Sequence, residues 1–207
     1  GGGWRVRLDS GASVGALYLV DATGRSAWVT RRFGRRDRLD DLVASTTAVE
    51  SATTPPRMCI VSTPTGWHYS LPTFDGRGRV EVTLGDRSTL GESAGRRRSA
   101  TTALSTWSDD QLVPVGDALM SLDPLSGDGV GFGIVSGEEA AASIVASLTG
   151  DRTAIERFRR GAEMVYEREL ERRAEAYSAV QRWPDHDFWR RRHGPPASPR
   201  LSSASNT

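Results

Sequence analysis

The chain has 207 residues, 37% of them hydrophobic and 26% charged, the balance of a soluble globular protein of one domain or two small ones. Its formal net charge of +1 gives no electrostatic reason to expect nucleic acid or an anionic membrane as partner. No apolar run approaches the ~18 residues of a membrane-spanning helix.

Arginine carries all the basic charge, since the sequence contains no lysine; a GC-rich coding sequence accounts for that bias. The single cysteine, Cys59 in "RMCIVS", cannot form an internal disulfide and reads as a core thiol. No signal peptide is visible, so the expected compartment is the cytoplasm. The chain opens "GGGWRVRLDSG" without an initiator Met and enters mid-hairpin, which reads as a fragment.

"WRVRLDSGASVGALYLVDATG" predicts two strands around an Asp-Ser-Gly turn. Trp4, Val6 and Leu8 alternate with Arg5 and Arg7 in the first. The second, about Val14 to Val20, ends in the apolar run "ALYLV", the mark of a strand covered on both faces. A short helix is expected over about Ser26 to Phe33. The cluster Arg31, Arg32, Arg35, Arg36 and Arg38 reads as a solvated helix end and loop in preference to a phosphate patch.

From Pro56 to Leu84, "RMCIVST", "GWHYSLPT" and "GRVEVTL" are separated by Gly- and Pro-containing turns and predict an antiparallel sheet. "GDRSTLGESAGRRRSATTALS" is weakly patterned and is expected to be a loop with one short helix. After Gly150 an apolar stripe of Ile155, Phe158, Ala162, Val165, Leu170, Ala174, Tyr177 and Val180 predicts an amphipathic helix. Pro184 breaks the pattern, and Trp183, Phe188 and Trp189 are expected to dock the following segment onto the body. His186 and His193 flank Asp185 and Asp187 at no structural-zinc spacing, and no metal site is expected.

The chemistry concentrates between Val113 and Ala142. The apolar "LVPV" feeds Gly116-Asp117, Asp123-Pro124 turns the chain, and Gly127, Gly129, Gly131 and Gly133 strip the next loop and first helical turn of side chains. A glycine at a strand end admits a ligand to the backbone, and the Asp117 carboxylate is placed to accept from ligand hydroxyls. The helix expected from Asp128 to about Leu148 would offer bare amide groups at its start.

"PVGDALMSLDPLSGDGVGFGIVSGEEAA" resembles the second FAD-binding motif of flavoprotein monooxygenases of the glutathione-reductase-like superfamily. "LYLVDATGR" is similar to that superfamily's Ala-Thr-Gly motif. "GWHYSLP", "DPLSG" and "RWPDHDFWRRRH" resemble the branch of tryptophan-halogenase-like proteins and of the flavoproteins that mature quinone cofactors. The resemblance covers about Trp4 to His193.

It implies FAD as cofactor, with Asp117 on a ribityl hydroxyl and Gly116 making room. Pro124, after Asp123, would lie beside the isoalloxazine, and Gly127, Asp128 and Gly129 would present amides near its pyrimidine end. Asp21, Ala22 and Gly24 would be scaffold. Trp67, His68 and Tyr69 would be substrate-facing candidates, although strand alternation alone accounts for their spacing; no catalytic residue is assigned.

The fold class expected is α/β: an incomplete FAD/NAD(P)-binding layered domain (residues 1–34 and 107–150), an antiparallel substrate-facing sheet (35–106), C-terminal helices (151–192) and a disordered tail (193–207). The activity implied is FAD-dependent oxidation or oxygenation of a small-molecule or peptidyl substrate, with reduced nicotinamide or flavin as donor.

Three departures leave alternatives open. The Gly-x-Gly-x-x-Gly fingerprint is absent, so the chain is expected to hold FAD weakly or not at all and could be an inactive remnant or interaction module. "DPLSGDG" lacks the halide-loop phrase of halogenases, which lowers the halogenase reading; their catalytic lysine has no counterpart in this stretch and would have to lie outside it. Asp128 puts a negative charge where a neutral residue is usual. A non-redox nucleotide-binding protein is the remaining alternative.

Overall fold

The computed structural model describes residues 2–50, 57–73, 75–90 and 96–193. In chain order its elements are β1 (Trp4–Arg7), β2 (Ser13–Ala16), β3 (Leu19–Asp21), α1 (Thr30–Phe33), β4 (Gly34–Arg38), β5 (Leu42–Glu50), β6 (Cys59–Thr63), β7 (Gly66–Pro72), β8 (Gly78–Asp86) and β9 (Arg96–Ser99). Then follow β10 (Ala103–Trp107), β11 (Leu112–Pro114), β12 (Met120–Ser121), α2 (Gly129–Leu148), α3 (Ala154–Ser178) and α4 (Asp187–Arg190). The chain forms two compact units, Gly1–Arg38 with Thr102–Glu169, and Leu39–Thr101 with Leu170–Thr207. The tail expected to be disordered lies, from residue 194 on, outside the described residues.

In the first unit β1 and β2 form an antiparallel hairpin. Trp4 and Val6 are half-buried while Arg5 and Arg7 are exposed, the alternation a strand with one covered face requires. The single strand expected over Val14 to Val20 is two strands. β2 ends at Ala16, and β3 restarts at Leu19 with a new partner, pairing in parallel with β11. The Tyr18 hydroxyl, in the break, donates to Ser147 Oγ at 2.7 Å.

The helix expected from Ser26 to Phe33 shrinks to a 3-10 turn over Gly24–Ser26 and the one-turn α1. Side-chain oxygens of Asp21 and Thr23 accept from the backbone N–H groups of Thr23, Trp28 and Thr30, and such local bonds compete with helix. β4 and β12 flank β10, both antiparallel. Helix α2 starts within a residue of its expected position. On the first part of α3, Ile155, Phe158, Ala162 and Tyr166 are buried. Val165 is exposed instead of joining the stripe, because the buried row steps by four from Phe158 to Ala162 to Tyr166.

The second unit is built on a five-stranded antiparallel sheet in the order β6-β7-β8-β5-β9. The three strands expected between Pro56 and Leu84 are β6, β7 and β8. β5 escapes a periodicity reading because its core, Ala44 to Ala48, is small and hydroxylated and barely alternates in polarity. The segment expected to be loop and short helix instead turns after Asp86 and enters β9 and then β10, with residues 91–95 outside the described set.

On one face of this sheet Trp67 and Tyr69 are buried. Trp67 meets Tyr177 and Trp189 edge-on, at 5.8 and 4.9 Å between ring centres. Trp189 Nε1 donates to the Thr63 carbonyl at 2.8 Å. Phe188 and Trp189 are buried, while Trp183 is half-buried against His186. Two arginines complete the attachment: Arg192 donates to both oxygens of buried Asp86, at 2.6 and 3.4 Å, and Arg173 to Asp40 at 2.6 Å.

Candidate functional site

The candidate site lies in the first unit, where the parallel strands β3 and β11 end side by side. Pro114 is in register with Asp21, and the Val115 N–H donates to the Asp21 carbonyl at 3.0 Å. The chain then turns through Gly116, whose φ of +54° lies in the left-handed region that favours glycine. A Cβ there would stand 3.5 Å from the Cα of Gly133 on α2. The Gly116 N–H donates to Ser136 Oγ at 2.9 Å. Strand end and helix thus approach closely and are joined by one part-buried hydrogen bond.

Asp117 sits on this turn with its side chain 35% exposed, 3.4 Å from Arg25 Nε. Arg25 also donates to the Leu122 carbonyl at 3.0 Å. One side of the carboxylate is tethered while part of it stays open to solvent. Beneath the turn, Arg36 donates to the carbonyls of Asp117 and Ala118 at 2.8 and 2.9 Å, and to the hydroxyls of Ser105 and Ser121 at 2.8 and 3.0 Å. Burial pulls the Arg36 guanidinium down to about 10; the Asp117 charge opposes that, and Arg25, Arg38 and Arg31 add to it. Arg36 stays cationic at neutral pH.

Asp21 is fully buried. Burial alone would raise its pKa, but bonds from the side chains and backbone of Thr23 and Thr30 outweigh it and hold the carboxyl below its ordinary range. All four of these bonds are 2.6 to 3.0 Å long. Its role is to shape the loop after β3.

Downstream, Asp123 is buried and accepts from the Leu125 N–H at 3.0 Å. With Pro124 in the first position of a 3-10 turn, it fixes the loop that leads to Gly127. Asp128 occupies the N-cap position of α2, exposed, without capping the helix through its side chain. Around Gly129 and Gly131 a Cβ would meet nothing within 4 Å, so the leading turn of α2 borders open space. Of the 20 residues of α2 only Ser136 and Ala140 are buried.

The structure therefore brings Gly116 and Asp117 against α2, and Asp123, Pro124, Gly127, Asp128 and Gly129 into the loop and first turn of that helix. Trp67, His68 and Tyr69 belong to the second unit. Strand alternation separates them: Trp67 and Tyr69 enter the aromatic core, while His68 lines a groove on the opposite face and lies 3.3 Å from Thr83 Oγ1 through Nδ1. Sequence reasoning did not single out Arg25 or Ser136 and placed Arg36 among solvated arginines. No local signal marks Arg36: β4 reads Gly-Arg-Arg-Asp-Arg, and Arg36 and the adjacent Asp37 are both half-buried. Among the described residues no three His, Cys, Asp or Glu cluster to hold a metal, and no helix is long and apolar enough to cross a membrane.

This α/β arrangement, with its antiparallel sheet and C-terminal helices, is the fold of flavin-dependent halogenases and of a peptidyl tryptophan dihydroxylase. Peptidyl tryptophan dihydroxylase QhpG, essential for tryptophylquinone cofactor biogenesis, superposes with a TM-score of 0.78 over 98% of this chain and 54% of its own, at 24% identity. The flavin-dependent halogenase CmlS gives 0.75 over 91% of this chain and 42% of its own, at 21% identity. The myxobacterial chondrochloren halogenase CndH gives 0.74 over 92% and 54%, at 20% identity. Among curated proteins, LodB of Marinomonas mediterranea, named as an FAD-dependent oxidoreductase, is 32% identical over 84 residues, which are 41% of this chain and 22% of LodB. The chain thus spans about half the length of QhpG, and its matched segment about a fifth of LodB. No protein-family model matches it.

Proposed function

We propose that this chain supplies the ring-facing side of an FAD site in an oxidoreductase that oxygenates or oxidises a small-molecule or peptidyl substrate. One juxtaposition carries the reading: a part-open carboxylate, Asp117, on a turn bonded to a helix whose leading glycines border empty space. The residues fit the group. A carboxylate anchored by Arg25 keeps lone pairs for ribityl hydroxyls. The first amide groups of α2, at Gly129 and its neighbours, have no intrahelical acceptors and favour an electron-rich ring edge. The Gly127–Asp128 backbone leads into that turn, and the Asp123-Pro124 turn gives a rigid edge beside the ring.

When bound, flavin supplies two-electron transfer and reaction with dioxygen. The chain's residues bind and orient. Arg36 fixes the carbonyls of Asp117 and Ala118, and Arg25 fixes the Asp117 carboxylate. The α2 amides would favour negative charge on a heterocycle held there. His68 is the substrate-side candidate, as a hydrogen-bonding or proton-carrying group. QhpG acts on a peptidyl tryptophan and LodB is named an oxidoreductase; these support oxidation over a non-redox role. Halogenation is the second reading, supported by the shared fold of CmlS and CndH; the loop sequence "DPLSGDG", without the halide-loop phrase, weighs against it.

The test is quenching of flavin fluorescence on titration with the chain. Saturable quenching is expected, with riboflavin and FAD binding alike to within about threefold, because the Gly-x-Gly-x-x-Gly contacts are not in this sequence. Asp117→Ala should weaken both by roughly tenfold or more, the worth of a hydrogen bond to a charged group. No quenching, or quenching indifferent to Asp117→Ala, would remove the reading.

A further inference from the structure

β6 is the outer strand of the five-stranded sheet and is bonded to β7 on one side only. Its other side presents backbone N–H and C=O groups that no strand pairs among the described residues, a template for an added strand. The opposite edge, β9, reads Arg-Arg-Arg-Ser, the charged composition that discourages pairing. β6 reads Cys-Ile-Val-Ser-Thr, with neither charge nor proline. Met58, Ile60 and Val61 are 53%, 41% and 49% exposed, which is unusual for an unguarded edge.

The two faces of this edge differ. Met58 and Ile60 point one way by strand alternation. Arg57, Cys59 and Val61 point the other way and line a groove of about 250 Å³ that also takes in His68, Arg79 and Glu81. Arg79 Nε is 2.8 Å from Glu81. With two arginines against one glutamate, the lining is net cationic.

From this arrangement we infer that the outer edge of β6 docks an extended peptide as a sixth strand, with apolar side chains against Met58 and Ile60 and an acidic side chain beside Arg57. Main-chain pairing gives the affinity, and the two unlike faces give the sequence preference. Pairing of two copies through this edge would set two cationic grooves side by side, which like charge disfavours. The inference does not depend on flavin binding, and its test contains no flavin.

The probe is the fluorescein-labelled peptide Ser-Val-Glu-Val-Thr-Val-Ser, titrated with the 207-residue chain and followed by anisotropy. Saturable binding is expected. N-methylation of alternate peptide amides should abolish it without touching the protein. Ile60→Lys, an exposed edge change, should weaken it by about tenfold or more. Arg57→Glu should weaken it about fivefold, the scale of a partly exposed ion pair, and shift preference to the peptide with Lys in place of Glu. Absence of saturable binding, binding indifferent to N-methylation, or a β6-mediated dimer that Ile60→Lys dissociates and the peptide does not compete with would each overturn the inference.

Discussion

The Gly116 backbone N–H donates to the Ser136 hydroxyl at 2.9 Å, and that hydroxyl donates onward to the Gly133 carbonyl at 3.3 Å. Ser136 is buried and the bond to Gly116 part-buried. Ser136→Ala should leave the Gly116 N–H unpaired and destabilise the chain by about 1–3 kcal/mol. Urea unfolding measures the loss, and faster hydrogen exchange at Gly116 would locate it. Equal destabilisation with unchanged exchange at Gly116 would mean that the bond does not hold the turn.

Gly131→Ala separates stability from binding. A Cβ at this position meets nothing within 4 Å, and alanine in a helix is more favourable than glycine by about 0.5–1 kcal/mol. The variant should therefore melt higher than the parent. If the open space at the start of α2 holds a flavin ring, the same methyl should weaken riboflavin quenching several-fold. Higher stability with undiminished binding would place the ligand elsewhere.

What was legible in the sequence divides by the range of the signal. β6, β7 and β8 alternate and are bounded by glycine and proline, and α2 begins where Asp128 meets a glycine-spaced run; these are local signals. The join between Val14 and Val20 was not legible, because the change from an antiparallel to a parallel partner depends on β11, nearly a hundred positions away. β5 lacks a strong apolar rhythm, since its hydroxyl and alanine side chains are small enough to be covered or exposed. Arg36 lies in an arginine-rich run whose composition suggests solvent, and only the pairing of β4 with β10 turns that one side chain beneath the Asp117 turn. Ser136 is one serine in a helix of small residues, and nothing near it in sequence marks it as the acceptor for Gly116.

Arg36→Met tests whether the Asp117 turn is held from beneath. Methionine keeps much of the volume and removes donors to two carbonyls and two hydroxyls. Leaving those acceptors without a cation should cost about 2–4 kcal/mol. Arg36→Lys should recover part of it, since an ammonium cannot span four acceptors in the planar fork of a guanidinium. Flavin quenching by the Lys variant, measured where it remains folded, should be weaker than the parent's; a variant as stable as the parent would show that the network contributes little.

Asp21 predicts an acid limb in the stability profile. Its folded pKa lies below the ordinary carboxylate value because the bonds from Thr23 and Thr30 outweigh burial. Above the unfolded value the carboxylate is ionised in both states and its stabilisation is complete. As pH falls through the unfolded and then the folded pKa, the folded state must take up a proton against those four bonds, and the stabilisation disappears. Asp21→Asn should therefore be less stable than the parent by about 1–3 kcal/mol at neutral pH, since an amide oxygen cannot accept from all four donors. The gap should narrow below about pH 4. Asp151 and Glu156, also lowered by their arginine partners, are common to both proteins and cancel in the difference. Urea midpoints from pH 7 to pH 2 measure it, and a gap that stays constant across that range would show that the Asp21 charge does not hold the loop after β3.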